Sequence, residues 1–127
     1  GEYQARFGLK IPEWRVMAVL GEMASSTQRE LVHATRMDKV AVNRACKALS
    51  DRGLLDRSPN TQDGRSHLLA LTDSGHTLYA QIMPLALDME RQVLEGLSAR
   101  DRERLDAILA RLLECADSLI AQRVVAE

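Results

Sequence analysis

Apolar positions recur at helical spacing over most of the chain and give way to a short extended pattern once, near its middle. Ile11-Pro12-Glu13 opens the first strong pattern, with proline in a first helical turn, where its missing N–H costs nothing. From Trp14 to Met23 the chain is apolar on almost every side (Trp14, Val16, Met17, Ala18, Val19, Leu20, Met23), as in a helix central to a core. Ser25-Ser26 is expected to break it. Thr27-Gln28-Arg29-Glu30 reads as a capping box, with Thr27 as N-cap and Glu30 reaching back. It opens a short helix to about Ala34, buried through Leu31 and Val32. After a tight turn at Thr35-Arg36-Met37, Asp38 caps a longer helix running to Arg52, whose apolar stripe is Val42, Ala45, Cys46 and Leu49. Gly53 suits the left-handed position that ends such a helix. Short helix, tight turn and longer helix make the helix-turn-helix layout.

The extended pattern follows at once. Leu54 to Arg57 reads as a strand, Pro59 to Gly64 is rich in turn formers, and Ser66 to Leu71 reads as the returning strand of a β-hairpin. Thr72 or Asp73 caps the next helix, which runs to about Glu95 and is expected to kink at Pro84, a residue that removes a backbone donor. Gly96-Leu97 breaks it, Ser98 with Asp101 gives another capping signal, and a last helix runs to near Val125. Leu105, Leu112 and Leu119 repeat there at sevens, with Ile108 and Cys115 between them. At ~1.5 Å per residue that helix is roughly 40 Å long, more than one small core needs. Its leucine seam calls for a partner helix. The predicted fold is mainly α with a small β-hairpin.

Composition narrows the function classes. At 127 residues the chain fits one domain, and its aromatics are scarce: Trp14, Tyr3, Tyr79 and Phe7. No apolar run approaches the ~20 residues of a membrane span, and no signal-peptide pattern opens the chain. Because the first residue is Gly1, an upstream segment is expected to be missing. Cys46 and Cys115 fall inside helical patterns with no metal spacing, which suits reduced, inert thiols in a cytoplasmic protein. No nucleophile motif, glycine-rich phosphate loop or metal spacing is present, so neither an enzyme nor a cofactor is expected. The net charge of −1 is unevenly spread. Ser25 to His67 carries eight Lys/Arg against five Asp/Glu, while Asp88 to Glu127 carries six against nine. A basic face matters more than a basic average for a nucleic-acid partner.

Two groups of residues supply candidate chemistry. Lys39, Asn43 and Lys47 are spaced by four, with Val40 and Arg44 beside them, on the face opposite Val42 and Leu49. A major groove admits one α-helix, where Asn pairs with adenine, Arg and Lys with guanine, and Val40 and Ala41 meet thymine methyls. A helix N-terminus such as that at Thr27 can take a phosphate. On the hairpin, Arg57, Arg65 and His67 cluster, and an arginine at its tip suits a narrow minor groove. Asp63 is expected to pair with Arg65 and fix its rotamer. The plainer alternatives are a solvated helix face and a solubilising loop.

Asp63-Gly64-Arg65-Ser66 followed by Leu71-Thr72-Asp73-Ser74-Gly75 resembles the wing signature of the MarR family of bacterial transcription regulators. Met37 to Arg44, ending in Leu49 to Arg57, resembles that family's recognition helix and following strand, and Leu9 to Val16 its second helix. The resemblance covers nearly the whole chain, except most of a first helix, of which Glu2 to Phe7 is expected to be the tail. It implies a winged helix-turn-helix domain over about residues 11–75, with dimerisation helices at 1–10 and 76–127. It also implies a homodimer on a near-palindromic double-stranded operator, acting as a repressor in the cytoplasm, associated with the nucleoid. The family's DNA-contacting positions fall on Lys39, Val40, Ala41, Asn43, Arg44 and Lys47, its minor-groove arginine on Arg65 and its supporting acid on Asp63. Thr27, Arg57, Ser66 and His67 complete the expected DNA face, and Leu105, Ile108, Leu112, Cys115 and Leu119 the dimer seam. Where the family commonly has a polar Ser/Thr pair early in the recognition helix, this chain has Val40-Ala41, which favours methyl contact over hydrogen bonds. The resemblance further implies a small aromatic or phenolic effector, for which Trp14, Met17, His33, Met83 and Leu87 are candidate cleft residues, although packing explains each as well. The rival reading is a winged-helix module that binds another protein instead of DNA.

Overall fold

Where a stripe repeats every three or four residues behind a capping residue or a first-turn proline, the chain forms a helix. The computed structural model describes residues 6–126. Helix α1 (Ile11–Glu22) starts with Pro12 in its first turn. Strand β1 (Ser26–Thr27), α2 (Gln28–Thr35), α3 (Lys39–Asp51), β2 (Leu55–Pro59), β3 (His67–Leu71), α4 (Asp73–Leu94) and α5 (Ala99–Ala126) follow. The expected helix tail at Glu2 to Phe7 lies largely outside the described residues, of which Arg6 and Phe7 are helical. The chain divides into two units, residues up to Ala86 and residues from Leu87 on.

The first unit is built around one core. Val16, Met17 and Leu20 of α1, Leu31 of α2, the Val42, Ala45, Cys46 and Leu49 stripe of α3, Leu55, Leu69 and Ile82 are all buried together. Helix α1 differs from expectation: Trp14, Ala18 and Val19 are only half-buried and Met23 is exposed, while Glu13 is buried. Part of its apolar surface is therefore left open among the described residues.

Caps set the boundaries of α2 and α3, whereas α1 follows Lys10 with no side-chain cap. The Thr27 hydroxyl accepts from the Glu30 N–H at 3.2 Å and donates to Glu30 Oε1 at 3.0 Å, so Glu30 returns to the cap's hydroxyl rather than to its backbone. Arg36 ends α2 in the left-handed conformation (φ 61°), its N–H donating to the Val32 carbonyl at 3.1 Å. Asp38 caps α3 by accepting from the Ala41 N–H at 2.8 Å. At the other end Gly53 (φ 71°) donates to the Ser50 carbonyl and Leu54 to the Leu49 carbonyl, the paired bonds of a Schellman stop.

The sheet holds one strand more than expected. Its order is β1-β3-β2, antiparallel throughout, with Leu55 opposite Leu71, Pro59 opposite His67, and Ser26 opposite Leu69. Ser26, read as a helix breaker, is buried and pairs on the free edge of β3, satisfying backbone groups that would otherwise lack partners. Two polar residues are too short a run to carry an alternation signal.

Thr72 then locks the returning strand onto the end of α3. Its hydroxyl donates to the Gly53 carbonyl at 2.6 Å and accepts from the Gly75 N–H at 3.0 Å, while its own N–H donates to the Leu54 carbonyl. A Cβ at residue 75 would land on that same Leu54 carbonyl oxygen, so only glycine fits this approach. Helix α4 continues through Pro84 as far as Leu94.

In the second unit, Ser98 caps α5 by accepting from the Asp101 N–H at 3.1 Å, and the Arg102 guanidinium donates to the terminal Leu94 carbonyl of α4 at 3.0 and 3.3 Å. None of its described side chains is buried. Among the described residues, no helix is long and apolar enough to cross a membrane.

Candidate nucleic-acid interface

With Val42, Ala45, Cys46 and Leu49 committed to the core, the opposite face of α3 must look outward. Lys39, Val40, Asn43, Arg44 and Lys47 are all exposed and Ala41 is half-buried. Val40 is 61% exposed, a large apolar side chain among charges. Thirteen residues at ~1.5 Å each give a rod of about 20 Å, enough to lie along a groove.

Beside this face the sheet and α2 enclose a concavity of about 530 Å³. Thr27, Lys39, Arg57, Asp63, Arg65, Ser66 and His67, all singled out from the sequence, line it. Gln28, Arg29, Val32, Asn60 and Leu69 line it too and were not foreseen. Arg29 was legible in principle: it is an exposed cation in the first turn of a capped helix whose Leu31 faces the core. Asn60 gave no signal beyond being a turn former. Four permanent cations (Arg29, Lys39, Arg57, Arg65) surround one carboxylate, Asp63, so the concavity is an anion-attracting surface.

Asp63 acts differently from the expected ion pair. Its Oδ1 accepts from the backbone N–H of Arg65 at 3.0 Å, so it shapes the loop and leaves the guanidinium exposed. Arg52, counted in the basic excess of this segment, is spent elsewhere: its guanidinium donates to the carbonyls of Gly8 and Phe7, each at 3.1 Å.

Cys46 is buried, and burial pushes its thiol pKa up despite the opposing charge of Arg57, so the reactive thiolate is suppressed. Among the described residues, no group of three or more His, Cys, Asp or Glu is placed to hold a metal ion. The candidate effector residues are scattered in character. Met17 is fully buried, Trp14 is half-buried and stacked on Tyr79 at 6.1 Å between ring centroids, and Met83 is half-buried. His33 and Leu87 are exposed, and none of the five lines the 530 Å³ concavity.

The expected seam on α5 is open in the single chain. Ile108, Leu112 and Leu119 are 55–61% exposed, Cys115 is exposed and Leu105 half-buried. Leu109, Leu113 and Ile120 are exposed alongside them, so the apolar face is broader than the heptad alone indicated.

A capped two-helix motif exposing polar residues on its second helix, closed by a β-hairpin with an arginine at its tip, defines a winged helix-turn-helix protein. Residues 7–66 match the sequence model of the MarR family. A solved probable transcriptional regulator from Pseudomonas aeruginosa is 31% identical, with 87% of this chain and 84% of that one aligned at a TM-score of 0.74. The chain belongs to the MarR family. The relatives it matches are transcriptional regulators.

Three further relatives bear on the site. The transcriptional repressor NicR of Pseudomonas putida is 26% identical over 98 residues, 77% of this chain but 62% of its own length. A cysteine-substituted mutant of MarR from Escherichia coli, solved with operator DNA, is 25% identical over 88% of this chain and 81% of that one, with a TM-score of 0.78. BpsR of Bordetella bronchiseptica, whose DNA binding is regulated by 6-hydroxynicotinic acid, is 25% identical over 82% and 79%, with a TM-score of 0.75.

Proposed function

We propose that the chain is a transcriptional repressor that binds a near-palindromic DNA operator as a homodimer. The observation that carries this reading is the meeting of two surfaces in one unit: the exposed Lys39–Lys47 face of α3 and the cationic concavity ending at Arg65. The first fits a major groove, with Asn43, Arg44 and Lys47 reading base edges and Val40 meeting thymine methyls. The second fits the adjoining backbone and minor groove, where a guanidinium meets the strongest negative potential. The operator-bound relative from Escherichia coli supports the partner, and the repressor NicR supports the direction of control.

Dimerisation completes the reading. The second unit buries no described side chain, and its α5 face would find cover on the same face of a second copy. A two-fold pair would then present its α3 helices roughly 34 Å apart, one turn of duplex. Control would come from a small aromatic acid or phenol, a reading supported by the 6-hydroxynicotinic acid response of BpsR. Such an effector acts by favouring a dimer whose lobe spacing no longer matches successive grooves. It must therefore bind the DNA-free dimer more tightly than the DNA-bound one. The site of action would be the cytoplasmic nucleoid.

The test is selection of fragments of the source genome on the purified protein, followed by titration of the selected duplex against a scrambled one. The reading expects at least a thousandfold preference, roughly the low end for specific regulators. Equal affinity for both duplexes, or none, would favour the protein-binding module instead.

A further inference from the structure

The loop between β2 and β3 is exposed at every position from Thr61 to Arg65, so no apolar packing can hold it. Its order rests on hydrogen bonds, and those converge on Asn60. The Asn60 N–H donates to the Ser66 carbonyl at 3.3 Å, and its carbonyl accepts from the Asp63 N–H at 3.3 Å. Its side chain bonds in both directions: Nδ2 donates to Ser66 Oγ at 2.9 Å, and Oδ1 accepts from the Gln62 N–H at 3.1 Å. Ser66 in turn donates its N–H to the Asp63 carbonyl at 3.2 Å, and Asp63 Oδ1 holds the Arg65 N–H. One continuous set of bonds therefore runs from Asn60 through Ser66 and Asp63 to the backbone of Arg65.

We propose that Asn60 is a positioning residue for groove recognition, closing the wing loop so that Arg65 is presented in one fixed place. Its amide oxygen and one of its two amide N–H bonds are engaged within the wing, which ties it to the backbone that carries Arg65. The inference rests on the reading of the wing as a DNA contact. Its consequence concerns selectivity. An arginine on a slack loop still meets phosphates of any sequence, because that attraction needs charge alone. Telling a narrow A·T groove from a wide G·C one needs the guanidinium held in register, because groove width is a matter of shape. Aspartate is only a partial equivalent: it keeps an acceptor for Gln62, but the Ser66 hydroxyl can donate to it only by leaving the Asp63 carbonyl, to which it donates at 3.4 Å.

The experiment compares the wild-type dimer with Asn60→Ala, Asn60→Asp, Ser66→Ala and Arg65→Ala on two duplexes. One is the selected operator, and the other has G·C pairs in place of the A·T pairs beneath the wing. Asn60→Ala should bind the operator about fivefold more weakly, the worth of one net hydrogen bond, and should lose most of the A·T preference. Its salt slope should stay at the wild-type value, whereas Arg65→Ala lowers the slope as well. Ser66→Ala should behave as Asn60→Ala does, which keeps the test available if one variant misfolds, and Asn60→Asp should fall between Asn60→Ala and the wild type. Amide exchange without DNA gives a second readout, with the Arg65 and Ser66 N–H groups exchanging faster in Asn60→Ala. Unchanged A·T preference, or unchanged exchange at both amides, overturns the proposal while leaving DNA binding intact. A wild-type protein with no preference between selected and scrambled duplex overturns the reading beneath it as well.

Discussion

Gly53 and Gly75 lie on either side of the hairpin and are glycine for different reasons. Gly53 holds φ at 71° with open space where a Cβ would point, so Gly53→Ala meets only backbone strain, about 1–2 kcal/mol. Gly75 is pressed against the Leu54 carbonyl, so Gly75→Ala must push strand and helix apart. Overpacking of that kind costs about 1–3 kcal/mol and displaces the wing, so operator affinity should fall along with stability. Urea unfolding with a parallel binding titration separates the two cases: Gly53→Ala loses stability and keeps its affinity. The cysteines differ in a similar way. Cys46 keeps its proton beyond the usual thiol range because burial disfavours the thiolate, while the unfolded chain gives its proton up at the ordinary value. Its contribution to stability is therefore complete below that ordinary value and is lost as pH climbs through it toward the raised one. A thiol reagent at about pH 8, near the ordinary thiol pKa, should label the exposed Cys115 of the dissociated chain quickly and Cys46 only on unfolding. Equal labelling rates in the folded chain would contradict this assignment.

Among the elements, those with both a stripe and a cap could be read directly from the sequence. Helix α3 is the clearest: Asp38, the Val42–Leu49 stripe and Gly53 each mark it, and each does in the structure what its chemistry suggests. Asp38→Ala should therefore cost about 0.5–2 kcal/mol and fray the end of α3 that carries Lys39 and Val40, seen as lower helicity and weaker DNA binding together. Strand β1 was not legible, because its cause lies far along the chain in the free edge of β3. The partial exposure of α1 was missed for a related reason. An apolar surface reads the same whether it faces its own core or waits for another chain. At the candidate site, helical spacing identified the α3 face, and charge identified Arg57 and Arg65. Asn60 and the backbone role of Asp63 depend on loop hydrogen bonds that no periodicity announces.

Over the whole molecule, the proposed homodimer answers to the apolar surface that α5 leaves exposed among the described residues. Ile108, Leu112, Leu119 and their neighbours on α5 would hold a single chain at a large hydrophobic cost, which the proposed second copy would remove. Leu112→Asp should place two charges against each other in the seam and shift sedimentation from dimer to monomer at micromolar concentration. A variant that sediments as the wild type does would locate the interface elsewhere. The same substitution should weaken operator binding by orders of magnitude without touching the DNA face, since each half-site is then held alone. That α3 and the wing together grip duplex DNA is checked by the salt dependence of operator affinity in wild type, Arg44→Ala and Arg65→Ala. A steep fall of log K with log salt is expected in the wild type. Each variant loses two arginines per dimer, so the slope should be shallower by up to about two, with affinity lower in both variants. Affinities and slopes that stay at wild-type values in both variants would mean that neither helix nor wing holds the duplex.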